Sequence, residues 1–295
     1  MPQETPQVVL SRDRYGKAEV RLLHVDRHGP RHEITDLNVT VTLAGDMAAT
    51  YLTGDNSGVL TTDAQKNTVY ALARDGVRPV EAFALRLARH FTQIGTVDRA
   101  QVRIEEYGWR RIGAGGTPHP HSFERLAGKR IVSACVHGDG RAEVVAGVDD
   151  LILLKSTGSE FHGFLQDRYT TLEPTDDRIL ATAVAAGWRM AAAEADWAES
   201  YRGARTALAE AFAVTRSLSL QQTLYAMGQA VLAARPELCE VRLALPNKHH
   251  FLVDLAPFGL DNPGEVFYAA DRPYGLIEGT VSRAGAPEGD PEHRW

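Results

Sequence analysis

The most constraining feature of the sequence is one order of strands and helices that occurs twice along the chain. In the first half, residues Leu37–Leu43 alternate strictly between apolar and polar side chains, which predicts a strand with one buried face. Helices follow this strand, and further strands follow the helices. The strands of this half are expected at Ala18–Val25, Leu37–Leu43, Ala100–Glu106 and near Trp109–Ile112.

Two helix starts of the first half carry local signals. Thr62 and Gln65 fit a capping box, which predicts a helix from this point to Asp75-Gly76. Pro79 opens a second helix, since proline is favoured at the first helical position. The apolar stripe of this second helix consists of Val80, Phe83, Leu87, Phe91 and Ile94.

The second half repeats the plan. A hairpin is expected between Arg130–His137 and Arg141–Gly147, with its turn at Gly138-Asp139-Gly140. From Ala284 onward, the tail is rich in glycine, proline and charge and is expected to be loose. Further strands are predicted at Leu151–Leu154, Gly187–Glu194, Glu240–Leu245 and Phe251–Leu255, and helices at about Arg202–Phe212 and Leu220–Ala234.

Short echoes between the halves favour an internal duplication. The segment Thr68–Leu72 resembles Thr223–Met227, and Val102–Ile104 resembles Val241–Leu243. We therefore predict an α+β fold in which the unit β-β-α-α-β-β is made twice, with an antiparallel sheet and the helices on one sheet face. The expected units are residues 1–140 and 141–295.

The composition excludes several classes of protein. The net charge of −6 and pI near 6.0 argue against nonspecific binding of nucleic acid or anionic membranes. No apolar run approaches the roughly 20 residues that span a bilayer, and the amino terminus has no secretory pattern. Cys135 and Cys239 lie in separate apolar segments, so buried free thiols are expected, as in a reducing cytoplasm.

The stretch from Lys155 to Arg178 mixes aromatic and arginine side chains in a polar loop. An aromatic ring such as Phe161 can stack on a flat ligand, and a guanidinium fork can hold two oxygens in the ring plane. The pattern therefore suits a flat anionic ligand. Aromatics in a long loop also form small satellite cores, and the stretch alone leaves both interpretations open.

Several other polar positions can also be interpreted in two ways, as part of a ligand site or as ordinary structural or solvent-exposed groups. The amides of Asp63 and Leu220, at the two capped helix starts, are candidate anion donors, although most helix starts meet only water or caps. Lys17, at a strand entry, is a solvated charge or, if buried, a base. The segment from Asn247 to His249 is either part of a functional site or a β-turn with exposed polar residues.

His119 and His121 have the spacing that places two side chains on one strand face. This arrangement suits a metal, but the intervening Pro120 and the absence of a nearby cysteine favour a structural role. The sequence contains no nucleotide fingerprint, phosphate loop, nucleophile elbow or cysteine-based metal pattern. No flavin, nicotinamide or haem cofactor is therefore expected.

Several segments together resemble the urate oxidase (uricase) family, in the family's order and from about residue 15 to residue 283. The matching segments are Tyr15-Gly16-Lys17, Thr61-Thr62-Asp63 with Lys66-Asn67-Thr68, His119-Pro120-His121-Ser122-Phe123, Lys155-Ser156-Thr157 to Arg178, and Leu245-Pro246-Asn247-Lys248-His249. The resemblance implies a tunnelling fold, a homotetramer that forms a barrel, and active sites at subunit interfaces.

The resemblance also implies roles for individual residues. Phe161 would stack on urate, while Arg178, Gln221 and the Leu220 amide would hold it in plane. Thr62 and the Asp63 amide would come from a neighbouring subunit. Asn247 with Thr62 would hold dioxygen or water above the ring, and Lys17, Thr62 and His249 would form a proton relay. Leu220 stands where valine is common in the family, but its implied role is through the backbone, and His250 stands where an aromatic residue is often seen.

The implied reaction is the cofactor-free oxidation of urate by dioxygen and water to 5-hydroxyisourate and hydrogen peroxide. Two alternatives remain at this point: a zinc-dependent pterin or purine enzyme of the same fold that uses His119 and His121, and a purine-binding protein without activity. The last residues lack a peroxisomal tripeptide, so a bacterial cytoplasmic enzyme is expected.

Overall fold

The computed structural model of the chain describes residues 8–270, 272–290 and 293, which form two compact units. Of the described residues, the first unit contains 8–124, Val132–Val144 and residues 289, 290 and 293. The second contains Arg125–Ile131 and Val145–Glu288. The predicted boundary between residues 140 and 141 stays a prediction.

The first unit consists of a helix pair packed on an antiparallel sheet. The strand order is β1-β2-β3-β4, and α2 contacts β1 while α3 contacts β3. The elements are β1 (Tyr15–Asp26), β2 (Glu33–Gly45), the short α1 (Ala48–Leu52), α2 (Thr62–Ala73), α3 (Val80–Phe91), β3 (Val97–Ala114) and the two ends of β4 (Thr117–His137).

The core of the first unit follows the predicted alternation. In β2, Leu37, Val39, Val41 and Leu43 are buried, while the residues between them are half-buried. The stripe of α3 is buried as well, at Val80, Phe83, Leu87 and Phe91. Ile94 lies beyond the end of this helix, in the turn before β3.

The second unit repeats the arrangement, with α5 on strands β7 and β10 and α4 beside α5. Its strand order is β5-β6-β7-β10, and each neighbouring pair is antiparallel. The elements are β5 (Ala142–Lys155, in this unit from Val145 onward), β6 (Leu180–Met190), α4 (Trp197–Val214), α5 (Leu220–Ala234), β7 (Leu238–Lys248), the hairpin of β8 (His250–Leu252) and β9 (Phe267–Ala269), and β10 (Gly275–Ser282). The α+β class, with the β-β-α-α-β-β order made twice, is confirmed.

Several predicted bounds are wrong for physical reasons. The strands expected at Arg141–Gly147 and Leu151–Leu154 are one strand, β5, which continues through a bulge between Val148 and Leu151. The strand expected at Gly187–Glu194 begins earlier, at Leu180, and ends at Met190. Its first half is rich in alanine, which has low strand propensity, but pairing with β5 and β7 on both sides overrides that preference.

The echo between Thr68–Leu72 and Thr223–Met227 does not join equivalent helices. The first segment lies in α2, the first helix of its pair, whereas the second lies in α5, the second of its pair. The echo between Val102–Ile104 and Val241–Leu243 does fall on equivalent strands, because β3 and β7 each follow a helix pair. The duplication is therefore visible in the fold and only partly in the sequence echoes.

The tail is not loose where the structure describes it. Asp290 forms an ion pair with Arg99, with 2.7 Å between Oδ2 and Nε. The side chain of His293 is buried and its Nδ1 lies 2.5 Å from Glu143 Oε1. Glycine and proline predicted mobility here, but the ion pair with the buried Arg99 and the hydrogen bond between His293 and Glu143 hold the segment in place.

Candidate active site

Three loop segments of the second unit are joined by backbone hydrogen bonds. The amide of Ser217 donates to the carbonyl of Gly158 at 2.9 Å, and the amide of Glu160 donates to the carbonyl of Ser217 at 2.8 Å. The amide of Arg178 donates to the carbonyl of Ser159 at 2.8 Å. These bonds fix the loop after β5, the segment before β6 and the segment before α5 against one another.

Phe161 and Arg178 lie side by side in this assembly. The backbone of Phe161 exchanges two hydrogen bonds with Thr175, at 2.9 and 3.1 Å, and its ring stacks on Phe164 with centroids 5.0 Å apart. The guanidinium carbon of Arg178 lies 5.1 Å from the Phe161 ring centroid. An aromatic face and a cation are thus presented at one place.

The charge of Arg178 is partly removed from water. Burial lowers the pKa of Arg178, and its Nε donates to Ser159 Oγ at 3.4 Å. Among the residues that the structure describes, no carboxylate lies within ion-pair distance of this guanidinium. A half-buried cation without a carboxylate partner favours an anionic ligand.

The start of α5 is capped by two side chains. Ser219 Oγ accepts from the amide of Gln222 at 3.1 Å, and Gln222 Oε1 accepts from the amide of Leu218 at 2.8 Å. Leu220 and Gln221 occupy the first helical positions, whose amides have no acceptor within the helix. Leu220 is buried, whereas the side chain of Gln221 is exposed and can reach a ligand.

Asn247 lies at the end of β7, and His249 lies just beyond the strand. Asn247 is half-buried and pairs with Thr182 and Gly275 on the neighbouring strands. The pKa of His249 is lowered, first by burial, then by the charge of Arg178 and then by His250. Burial and the charges of Arg178 and His250 therefore disfavour the protonated form of His249.

In the first unit, Lys17 lies at an irregularity of β1. The register between β1 and β2 shifts between Lys17 and Val20, as at a β-bulge, and Glu19 has a positive φ of 56°. The preceding Gly16 is required, because a Cβ there would lie 1.9 Å from the carbonyl oxygen of Val41. This close approach of β1 to β2 fixes the direction of the half-buried Lys17.

The cap of α2 differs from the prediction. Thr61, rather than Thr62, is the capping residue, and its hydroxyl accepts from the amide of Ala64 at 3.1 Å. Thr62 is the first helical residue, so its hydroxyl is not consumed in capping. The capping box with Gln65 is therefore wrong: Gln65 is buried and donates to the carbonyl of Leu60.

Asp63 follows Thr62 and its carboxylate lies at the surface. Its Oδ1 lies 2.5 Å from Lys66 Nζ, and its Oδ2 accepts from Asn67 at 3.0 Å. The pKa of Asp63 is lowered, mainly by the hydrogen bond and charge of Lys66 and to a smaller extent by Lys17. The carboxylate is thus occupied within its own helix, and what Asp63 can offer a ligand is its backbone amide.

The predicted site residues therefore form two groups, one in each unit. Lys17, Thr62 and Asp63 are in the first unit. Those in the second unit are Phe161, Arg178, Leu220, Gln221, Asn247 and His249. The three relay residues are divided between the units.

Sequence reasoning missed the residues that position these groups. Ser159 and Ser217 are buried and join the loops around Arg178, but serines in polar loops give no distinctive signal. Tyr15 donates its hydroxyl to the carbonyl of Leu60 at 2.9 Å and so ties β1 to the segment before α2. Lys155 donates to the carbonyls of Phe212 and Thr215, which caps the end of α4.

The histidine pair considered for zinc is placed in β4. The rings of His119 and His121 have centroids 4.5 Å apart. Within the described parts of the chain, neither histidine belongs to a group of three potential metal ligands.

The described helices include none whose length and apolar character would let it cross a membrane, and the expected cytoplasmic location stays a prediction.

Comparison with known proteins places the chain in a family. The uricase family model matches residues 13–132 and 144–278, ranges that include every predicted site residue. The chain belongs to the uricase family. The uricase of Arthrobacter globiformis is 52% identical over 95% of this chain and 92% of that protein. The uricase of Dictyostelium discoideum is 38% identical over 92% of this chain and 96% of that protein.

The fold agrees with solved uricase structures. The crystal structure of Arthrobacter globiformis uricase matches with a TM-score of 0.92 at 52% identity, over 97% of this chain and 99% of that chain. The predictions of a uricase and of an oxidoreductase of this family are thereby confirmed. The residues matched by the family model end at 278, before Asp290, which pairs with Arg99.

Proposed function

We propose that this uricase oxidises urate with dioxygen and water to 5-hydroxyisourate and hydrogen peroxide, without a cofactor. The observation that carries the proposal is the pairing of Phe161 with Arg178. A flat ring with acidic protons and in-plane oxygens suits an aromatic face beside a half-buried cation that has no carboxylate partner among the described residues.

Each binding residue supplies a group that urate needs. Phe161 stacks on the purine, while Arg178 and the exposed Gln221 hold its oxygens and nitrogens in plane, with the Leu220 amide as a further donor. The amide is available because Leu220 is the first residue of a capped helix, where the dipole also favours an anion. A leucine side chain in place of valine leaves this amide unchanged.

Proton removal prepares the substrate for oxidation. Lys17, acting through the Thr62 hydroxyl, takes a second proton from urate, and His249 completes the relay. The resulting dianion transfers one electron to dioxygen, which avoids the spin barrier to a direct reaction. Recombination at a ring carbon gives a hydroperoxide, and loss of hydrogen peroxide followed by addition of water gives 5-hydroxyisourate. One urate, one dioxygen and one water yield one product and one peroxide.

Asn247 and Thr62 hold dioxygen, and later water, above the ring. An asparagine amide offers both a donor and an acceptor, which suits two successive small ligands. The Thr62 hydroxyl is free for this role because Thr61 caps the helix. Burial and the charge of Arg178 lower the pKa of His249, so it takes part in the proposed relay as a neutral imidazole, with one nitrogen that donates and one that accepts.

We further propose that the site is completed in a homotetramer, with Thr62 and Asp63 contributed by a neighbouring subunit. Complementation tests this arrangement: Thr62→Ala and Arg178→Gln chains are co-expressed with different tags and the mixed oligomer is isolated. Sites that combine an intact Thr62 from one chain with an intact Arg178 from the other should restore activity. Mixed oligomers no more active than either parent would contradict shared sites.

The reaction itself is tested by incubating the purified protein with urate in air. We expect the ultraviolet absorbance of urate to fall while dissolved oxygen is consumed in equal amount. Binding of urate without loss of absorbance would instead support the noncatalytic purine-binding protein. Xanthine, which shares the purine ring, serves as the comparison substrate for nonspecific oxidation.

A further inference from the structure

Three side chains of metal-binding type converge in the first unit, away from the predicted site residues. Cys135 and His137 lie two positions apart on one face of β4, and Asp290 comes from the tail. Cys135 Sγ lies 3.9 Å from His137 Nε2 and 3.5 Å from Asp290 Oδ2. His137 Nε2 lies 3.4 Å from Asp290 Oδ2. We propose that these residues form a zinc site that fixes the carboxyl-terminal tail to β4.

The separations between the donor atoms fit tetrahedral coordination. Zinc binds thiolate at about 2.3 Å and imidazole or carboxylate at about 2.0–2.1 Å, so ideal angles place sulfur about 3.6 Å from the other donors and nitrogen about 3.3 Å from oxygen. The observed distances are 3.9, 3.5 and 3.4 Å. Each lies within a few tenths of an ångström of the ideal, so small side-chain adjustments suffice.

The donor set selects the metal. Thiolate and imidazole together favour zinc over calcium or magnesium, which prefer oxygen ligands. Three protein ligands leave a fourth position for water. The side chain of Cys135 is fully buried, whereas that of His137 is 19% exposed, so the metal can enter from the histidine side.

Arg99 contacts two of the three proposed ligands: its Nε lies 2.7 Å from Asp290 Oδ2, and its side chain also forms a hydrogen bond with Cys135. In the zinc-free protein, this arginine balances the carboxylate. With zinc bound, the thiolate and the carboxylate balance the two charges of the ion, and Arg99 remains a hydrogen-bond donor to the carboxylate. Burial raises the pKa of the Cys135 thiol to about 12, so metal binding must break the S–H bond and release one proton to the buffer.

The backbone supports both strand ligands. The amide of His137 donates to the carbonyl of Arg141 at 2.9 Å, and the amide of Gly138 donates to the carbonyl of Asp98 at 2.8 Å, which fixes the end of β4. The tail has its own anchor next to the site, since His293 Nε2 lies 2.8 Å from Ser133 Oγ. Zinc would therefore bind a preformed arrangement and join the tail to the strand.

The test uses cobalt as a spectroscopic substitute for zinc in the full-length protein, after treatment with a chelator and desalting. We expect one Co²⁺ per chain, with a thiolate-to-cobalt charge-transfer band that zinc abolishes by displacement. Cys135→Ser should remove the band and Asp290→Asn should weaken cobalt binding about tenfold or more. Cys239→Ser is the matched control, because Cys239 is also buried, and its thiol donates to the backbone carbonyls of Arg189 and Met190.

Thermal unfolding gives an independent measurement. Zinc should raise the melting temperature of the parent protein and of Cys239→Ser by more than that of Asp290→Asn at the same zinc concentration, because zinc stabilises the folded state in proportion to its affinity for the site. A parent protein without the charge-transfer band, or an unchanged band in Cys135→Ser, would overturn the proposal. If Cys135→Ser does not fold, His137→Gln decides: cobalt affinity equal to that of the parent protein would overturn the site. Urate oxidation is not the readout, so this test is independent of the proposed activity.

Discussion

The guanidinium carbon of Arg178 lies 5.1 Å from the centroid of the Phe161 ring, and backbone hydrogen bonds hold both residues to the segment before α5. The two residues come from opposite ends of a long polar loop. Their contact brings an aromatic face and a cation together, which is an arrangement that suits a flat anion.

Replacing Arg178 with lysine should raise the KM for urate, because lysine keeps the charge but loses the planar fork. Loss of one charge-assisted hydrogen bond is worth about 1.5–3 kcal/mol, so we expect a decrease in kcat/KM of roughly tenfold to a hundredfold. Steady-state kinetics of urate loss measure the effect. Arg168→Lys is the matched control, since Arg168 also lies over an aromatic ring, 4.6 Å from the Tyr169 centroid, but is exposed. Equal losses in both variants would contradict the role of Arg178.

Thr61 and Thr62 are adjacent threonines with separate roles. Thr61→Ala removes the cap of α2 and should lower the free energy of unfolding by about 0.5–2 kcal/mol. Thr62→Ala should leave stability nearly unchanged and reduce kcat strongly, because its hydroxyl is not used in capping. Urea unfolding and urate kinetics on both variants separate the two effects. A stability loss in Thr62→Ala as large as in Thr61→Ala would contradict this division.

Lys17→Met should reduce kcat about a hundredfold or more while changing urate binding little, since general base catalysis contributes about 10²–10⁴-fold. Methionine keeps most of the length of the side chain and removes the amine. Lys129→Met provides the control, because Lys129 forms a long ion pair of 3.7 Å with Asp149 and is not a predicted site residue. If the relay account is wrong, Lys17→Met retains the parent kcat.

The lowered pKa of His249 predicts the acid limb of the rate profile. His249 is neutral in the folded protein at pH values where a free histidine, with a pKa of about 6.5, begins to protonate. Activity should therefore fall only at pH values below about 6.5. His250→Phe removes one of the three causes that lower the pKa of His249 and should therefore shift the acid limb to higher pH.

The lowered pKa of His249 also makes the stability of the folded protein depend on pH. As the pH falls, His249 is protonated in the unfolded chain before it is protonated in the folded protein. The contribution of His249 to the free energy of unfolding is therefore fully present above about pH 6.5 and decreases as the pH falls below that value. Titration of His249 by NMR, beside a pH profile of kcat, checks both statements. His28→Asn, at a fully exposed histidine, should leave the profile unchanged. A higher pKa for His249 than for free histidine would rule out this explanation.

The fold could be predicted from the sequence because its elements have strong local signals. The alternation in Leu37–Leu43 and the stripe in α3 predicted buried faces correctly. The alanine-rich start of β6 could not be recognised locally, since pairing on both sides, rather than propensity, makes it a strand. The tail was misjudged because its order comes from partners far away in sequence, such as Arg99 for Asp290.

The candidate site, like the fold, could be predicted only in part from the sequence. Resemblance to the uricase family indicated the residues that would meet urate. The hydrogen bonds that join the loops were not predictable, because Ser159 and Ser217 make them with backbone atoms that any residue could supply. The shift of the cap from Thr62 to Thr61 also depends on backbone angles that two adjacent threonines do not reveal.

The central claim is that this uricase needs no metal or cofactor to oxidise urate. The most direct measurement follows urate absorbance and hydrogen peroxide together, with chelator-treated protein in air. We expect urate to disappear with formation of one peroxide per urate, at a rate that added zinc does not increase. Activity that appears only when zinc is restored, or urate binding without peroxide, would contradict the claim.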